Sequence, residues 1–139
     1  MHERGVIRNR EHKQQIMDFS GLCFGKITPT DIDAFMDFGD RLFVIVESKY
    51  GEPHLKTGQR LALERLVEAC DKPPHRRAVA FLTSHTQAGD VDLSITEVVR
   101  YRFNGQWFCP KSESKTLLDG VLAFRRLVGL EGRDIPETK

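Results

Sequence analysis

Hydrophobic and polar positions along this chain repeat with more than one period, and each period predicts a different element. Near the start, Ile7, Glu11, Gln15 and Phe19 recur at helical spacing along a thin apolar stripe. They predict a helix over residues 8–19 that ends near Gly21. Gly21, Gly25, Pro29 and Thr30 then mark a loop or a broken extended segment. Over residues 31–38 polar and apolar side chains alternate, which is the period of a strand. Gly39 and Asp40 signal a turn. Residues 41–49 follow as Arg-Leu-Phe-Val-Ile-Val-Glu-Ser-Lys, with the continuous β-rich centre of a strand buried on both faces. Together these segments predict a hairpin feeding a central strand.

A loop with Gly51 and Pro53 leads to a helix in which Thr57 is placed to cap. Leu63, Leu66, Val67 and Cys70 fall on one face of that helix, and Gln59 begins the same face. Asp71, Lys72, Pro73 and Pro74 end it. Residues 78–83 read as a short buried strand and residues 93–103 as a longer one. Asn104-Gly105 is a hairpin signal, with Trp107, Phe108 and Cys109 on the return. Trp107 reads as a core residue. Leu118, Val121, Leu122 and Arg125 predict a last helix, with a loose tail beyond Gly129. Mixed strands and helices in this order predict an α/β domain around one mixed sheet, a single domain over residues 1–139 with loose ends at about 1–7 and 130–139.

The composition, 40% hydrophobic and 29% charged, is that of a globular chain. No apolar run approaches the roughly 20 residues that span a bilayer, and no export signal opens the chain, so no membrane partner is expected. Cys23, Cys70 and Cys109 form no CxxC or CxxH pair. That speaks against structural zinc and for three reduced thiols in a cytoplasmic protein, packed as small buried hydrophobes. A net charge of +1 does not by itself point to nucleic acid, so any such case rests on a local site.

The chemistry concentrates at Glu47 and Lys49. A Glu-x-Lys triplet alone is weak, since about 0.6 copies are expected by chance. Glu113-Ser114-Lys115 supplies a control copy in a polar loop, with no strand before it. Glu47 and Lys49 differ in context. They close a buried strand and project from one face of it. Asp31 and Asp33 share a face at the start of the neighbouring strand, and the hairpin brings that start back beside Glu47. Asp33, Glu47 and Lys49 are therefore expected to converge. Two close carboxylates repel unless a cation joins them. Hard oxygen ligands suit Mg²⁺ or Mn²⁺, and the backbone carbonyl of Ser48 is a further candidate ligand. A neighbouring lysine can orient water or stabilise negative charge in a transition state.

Thr-Pro-Thr-Asp-Ile-Asp-Ala-Phe, a Gly-Asp turn, then Leu-Phe-Val-Ile-Val-Glu-Ser-Lys resembles the core of the PD-(D/E)XK nuclease superfamily. It is most similar to the branch of archaeal Holliday-junction resolvases and small phage or prophage nucleases. In such proteins an acid opens the second core strand and Glu-x-Lys closes the third. The resemblance covers residues 26–66. It implies a restriction-endonuclease-like fold and a Mg²⁺- or Mn²⁺-dependent deoxyribonuclease in a bacterial cytoplasm, with DNA as partner and, for a junction-resolving member, a homodimer. Thr30 interrupts the literal Pro-Asp pair, and either Asp31 or Asp33 can be the essential acid. Asp33 is favoured because its spacing to Glu47 is closer to the family's, which leaves Asp31 as an auxiliary ligand or a group that hydrogen-bonds to the ligands. The resemblance also implies that Gln59 faces the site, that Lys56 and Arg60 contact phosphates, and that Glu11 adds a metal contact. His54 is a lesser candidate for a phosphate contact.

Arg8, Arg10, Arg76, Arg77, Arg100, Arg102, Arg125 and Arg126 are candidates to line a DNA groove or, one by one, ordinary surface residues. The rival expectation is a module of the same fold that binds nucleic acid or a protein without cutting. An RNA-directed enzyme is a second.

Overall fold

A computed structural model of the chain describes residues 5–7, 9–13, 15–111 and 115–130. The chain divides into two compact units, Met1–Asp31 and Ile32–Lys139.

The first unit holds a four-residue helix α1 (Arg10–Lys13), a 3-10 turn (Ser20–Leu22) and an isolated bridge between Phe24 and Ile27. The helix expected over residues 8–19 is thus one turn long. Ile7 and Phe19, its apolar stripe, are 54% and 41% exposed. A short helix that buries no apolar face has little to offset the cost of its nucleation. Asp18 turns the chain instead, accepting bonds from the Ser20 N–H and hydroxyl at 3.0 and 2.7 Å.

The second unit is an α/β layer built on one five-stranded mixed sheet. Its elements are β1 (Ala34–Phe38), β2 (Leu42–Tyr50), α2 (Thr57–Cys70), β3 (Arg77–His85), β4 (Glu97–Phe103), β5 (Gln106–Phe108) and α3 (Leu117–Leu127). The strands lie in chain order, with β2 and β3 parallel and every other pair antiparallel. The parallel pair needs a crossover, and α2 supplies it. Gly39 and Asp40 both take positive φ, at 62°, in the β1–β2 turn. Asn104 and Gly105 do the same between β4 and β5, the backbone of a tight hairpin.

The centre of β2 is buried on both faces, and alternate side chains feed two separate cores. Val44 and Val46, with Val79, Phe81, Val98, Leu117 and Val121, pack on the α3 face. Ile45, with Leu63, Val67, Ala78, Ala80 and Leu82, packs on the α2 face. Each Val, Leu, Ile or Phe among them contributes roughly 1.5–3 kcal/mol on burial. Both faces being covered holds β2 in register, and with it the residues at its end.

Several local expectations are corrected. Residue 56, not Thr57, occupies the N-cap of α2, and no side chain caps it. Leu66 is 38% exposed, on the flank rather than the buried stripe of α2. The strand expected over residues 93–103 opens with a 3-10 turn (Leu93–Ile95), because the Asp92 side chain accepts from the Ser94 N–H. The last helix is capped by Thr116 and Asp119 in a reciprocal pair. Leu130 is not loose: it is buried, and its N–H donates to the Arg125 carbonyl at 2.7 Å. Cys23 and Cys109 are free and exposed, so only Cys70 packs even partly as a small hydrophobe. Residues 113 and 114 of the second Glu-x-Lys copy lie outside the described residues.

Candidate active site

The end of β2 and the start of α2 meet at one corner of the sheet. Glu47 and Lys49 project from the face of β2 that carries Ile45, the face α2 covers. Asp33 lies one residue ahead of β1 and is clipped to β2 twice. Its N–H donates to the Val46 carbonyl at 3.1 Å, and its Oδ2 accepts the Ser48 N–H at 2.7 Å. Gln59, in the first turn of α2, bridges the other two. Its Nε2 donates to Glu47 Oε2 at 2.9 Å, and its Oε1 accepts from Lys49 Nζ at 3.1 Å. Lys49 Nζ is 3.3 Å from Glu47 Oε2.

Electrostatically the site is short of positive charge at one atom. Glu47 is only 6% exposed, and its Oε1 is buried with no hydrogen-bond partner. Burial, and then the nearby Asp33 carboxylate, push the Glu47 carboxyl above the usual range, outweighing Lys49 and Gln59. Asp33 is exposed. One acid is thus buried and under-satisfied, while the other opens to solvent beside it.

Ser48 joins the corner to the sheet behind it. On the opposite face its hydroxyl accepts from Thr83 Oγ1 at 2.8 Å, and Thr83 is fully buried. A strand residue's N–H and C=O leave along the same edge. Because the Ser48 N–H meets Asp33, its carbonyl faces the edge where β1 has ended. Among the described residues no three His, Cys, Asp or Glu side chains are placed to hold a metal ion. A cation here would rest on two carboxylates and a backbone oxygen, with water completing the shell. The orphaned Glu47 Oε1 and the all-oxygen donor set fit a Mg²⁺- or Mn²⁺-sized ion.

The remaining candidates are placed differently. Asp31 ends the first unit and Glu11 lies on α1 within it, so neither belongs to the unit that carries the cluster. Lys56 and His54 are exposed in and at the end of the loop before α2. Arg60 is tied to Glu64 at 2.8 Å. Four of the eight arginines considered for a groove are held by partners within the protein. Arg76 binds Asp40 and the Cys70 carbonyl. Arg77 binds Asp71 and Asn104. Arg102 makes two bonds to Glu68 at 3.0 Å. Arg125 is buried beneath the Phe38 ring. Arg8 lies outside the described residues. Thr83 escaped sequence reading; the only signal was a hydroxyl closing the apolar run Ala-Val-Ala-Phe-Leu.

The apolar hollow lined by Phe81, Val98, Tyr101 and Phe124 is on the α3 face, away from this corner. No helix among the described residues is long and apolar enough to cross a membrane. Comparison with protein-family models, curated proteins and solved structures finds no match to this chain.

Proposed function

We propose that this protein is a metal-dependent nuclease that hydrolyses DNA phosphodiester bonds, on a restriction-endonuclease-like fold of the PD-(D/E)XK type. The observation that carries the reading is the buried Glu47 carboxylate, with one oxygen orphaned, beside a second acid and a lysine. A structural ion pair has no use for the second acid, which raises the cost of ionising the first.

Asp33, Glu47 and the Ser48 carbonyl are the residues that would hold Mg²⁺ or Mn²⁺. The ion would supply Lewis acidity toward a phosphate oxygen and lower the pKa of water. The protein's own residues do the rest. Glu47 and Gln59 fix the Lys49 ammonium from two sides, which leaves a donor for the attacking water or for a non-bridging phosphate oxygen. Lys49 is part-exposed and Glu47 is not, so the ammonium is the part of the pair that a substrate reaches first. Gln59 braces the pair, accepting a bond from Lys49 and donating one to Glu47.

The test is cleavage of labelled linear, flapped and four-way-junction DNA in Mg²⁺ or Mn²⁺. The wild type is expected to cut, and Glu47→Ala and Lys49→Ala to lose about 10²-fold or more while remaining folded. A wild type inert on every substrate with either metal would contradict the proposal.

A further inference from the structure

Beyond the metal-holding corner, the sheet register sets one more cation on the catalytic face. Glu47 of β2 is paired with Leu82 of β3, and Leu82 with Arg100 of β4. Residues directly opposite in neighbouring strands point to the same side. Leu82 belongs to the α2-face core, so Glu47, Leu82 and Arg100 form one row on that face. Strands lie about 4.8 Å apart, so Arg100 stands roughly 10 Å from Glu47 along this row. Leu82 between them is 1% exposed, covered within the α2-face core.

Arg100 differs from the arginines around it. Arg60 is spent on Glu64 and Arg102 on Glu68. Among the described residues, no carboxylate lies within ion-pair reach of Arg100. Its guanidinium instead sits 5.6 Å from the centre of the Trp107 ring. Trp107 is itself anchored, donating from Nε1 to Glu64 Oε2 at 2.6 Å. An aromatic face fixes a guanidinium while leaving its N–H donors free, and those donors match a phosphate. At about 3.4 Å of rise per nucleotide, 10 Å is the reach of roughly three nucleotides.

We infer that Arg100, propped on Trp107, is a substrate-binding residue that takes a backbone phosphate of the nucleic acid a few nucleotides from the bond being cut. This rests on the nuclease reading and specifies a second contact for the substrate on β4, on the same side of the sheet as the β2 corner.

The test combines steady-state cleavage in Mg²⁺ with anisotropy of fluorescein-labelled duplex and four-way-junction DNA across a salt series in EDTA. Arg100→Gln should raise KM severalfold, more than it lowers kcat. It should also flatten the slope of log affinity against log salt by about 1. Arg100→Lys should keep most of that slope, and Lys72→Gln, an exposed lysine just after α2, should keep all of it. Thermal unfolding of each variant checks that it is folded. If Arg100→Gln cuts and binds like Lys72→Gln, or loses kcat alone, the inference about Arg100 is overturned and the nuclease reading stands. If the wild type neither binds nor cuts, both fall together.

Discussion

Two acid–base clusters share the α2 face, one turn of helix apart, and they are solved in opposite ways. At mid-helix, Glu64 Oε2 accepts from Trp107 Nε1 at 2.6 Å and from Arg60 at 2.8 Å, with Arg102 at 3.7 Å. The Trp107 bond, then Arg60, with the charge of Arg102, hold its carboxyl below the usual range. At the corner, Glu47 has a lysine and an amide on one oxygen and nothing on the other, and burial with Asp33 holds it above the usual range. A fold that can complete Glu64 from three elements has the means to complete Glu47 and does not. Completed clusters stabilise; an incomplete one beside a second acid is the observation on which the proposed cation site rests.

Breaking the completed cluster should cost most. Glu64→Ala leaves the Trp107 N–H and two guanidinium groups without their shared acceptor, a loss of about 1.5–3 kcal/mol, read from the shift in urea midpoint. A shift near zero would mean that water replaces Glu64 easily and that the contrast with Glu47 is overdrawn. Thr83→Val, which keeps the shape and removes only the hydroxyl behind Ser48, should cost about 1 kcal/mol in the same measurement. Its sharper use is at the site: if Ser48 is held from behind for a purpose, Mn²⁺ affinity falls further than stability does.

The hairpin, the doubly buried β2 and the two Asn-Gly and Gly-Asp turns were legible because each depends on neighbours in sequence. Gln59 was legible as the start of the inward face of α2, four residues before Leu63. The short α1 was not, because helical spacing alone says nothing about whether an apolar stripe finds a partner. The fate of the arginines was equally hidden. Arg102 meets Glu68 across 34 residues and Trp107 meets Glu64 across 43, and only the register of β4 on β3 decides which arginine is spent. The same register singles out Arg100. Asp33 was placed near Glu47 by the hairpin, but its bond to the Ser48 N–H follows from β1 ending one residue short of it.

The two clusters also pull stability in opposite directions with pH. Glu64, with a lowered pKa, contributes stability that is present above the ordinary carboxylate value and lost as pH falls through its depressed one. Glu47, with a raised pKa, holds its proton more tightly folded than unfolded, so stability falls as pH rises from the ordinary value through its raised one. The most direct measurement is therefore thermal unfolding of the wild type and Glu47→Gln at neutral pH, with and without Mn²⁺. Without the ion, Glu47→Gln should melt above the wild type; with it, the wild type should gain and the variant should not respond. A variant that melts below the wild type, together with a wild type indifferent to Mn²⁺, would show that Glu47 is an ordinary structural ion-pair partner and would remove the basis for a cation site.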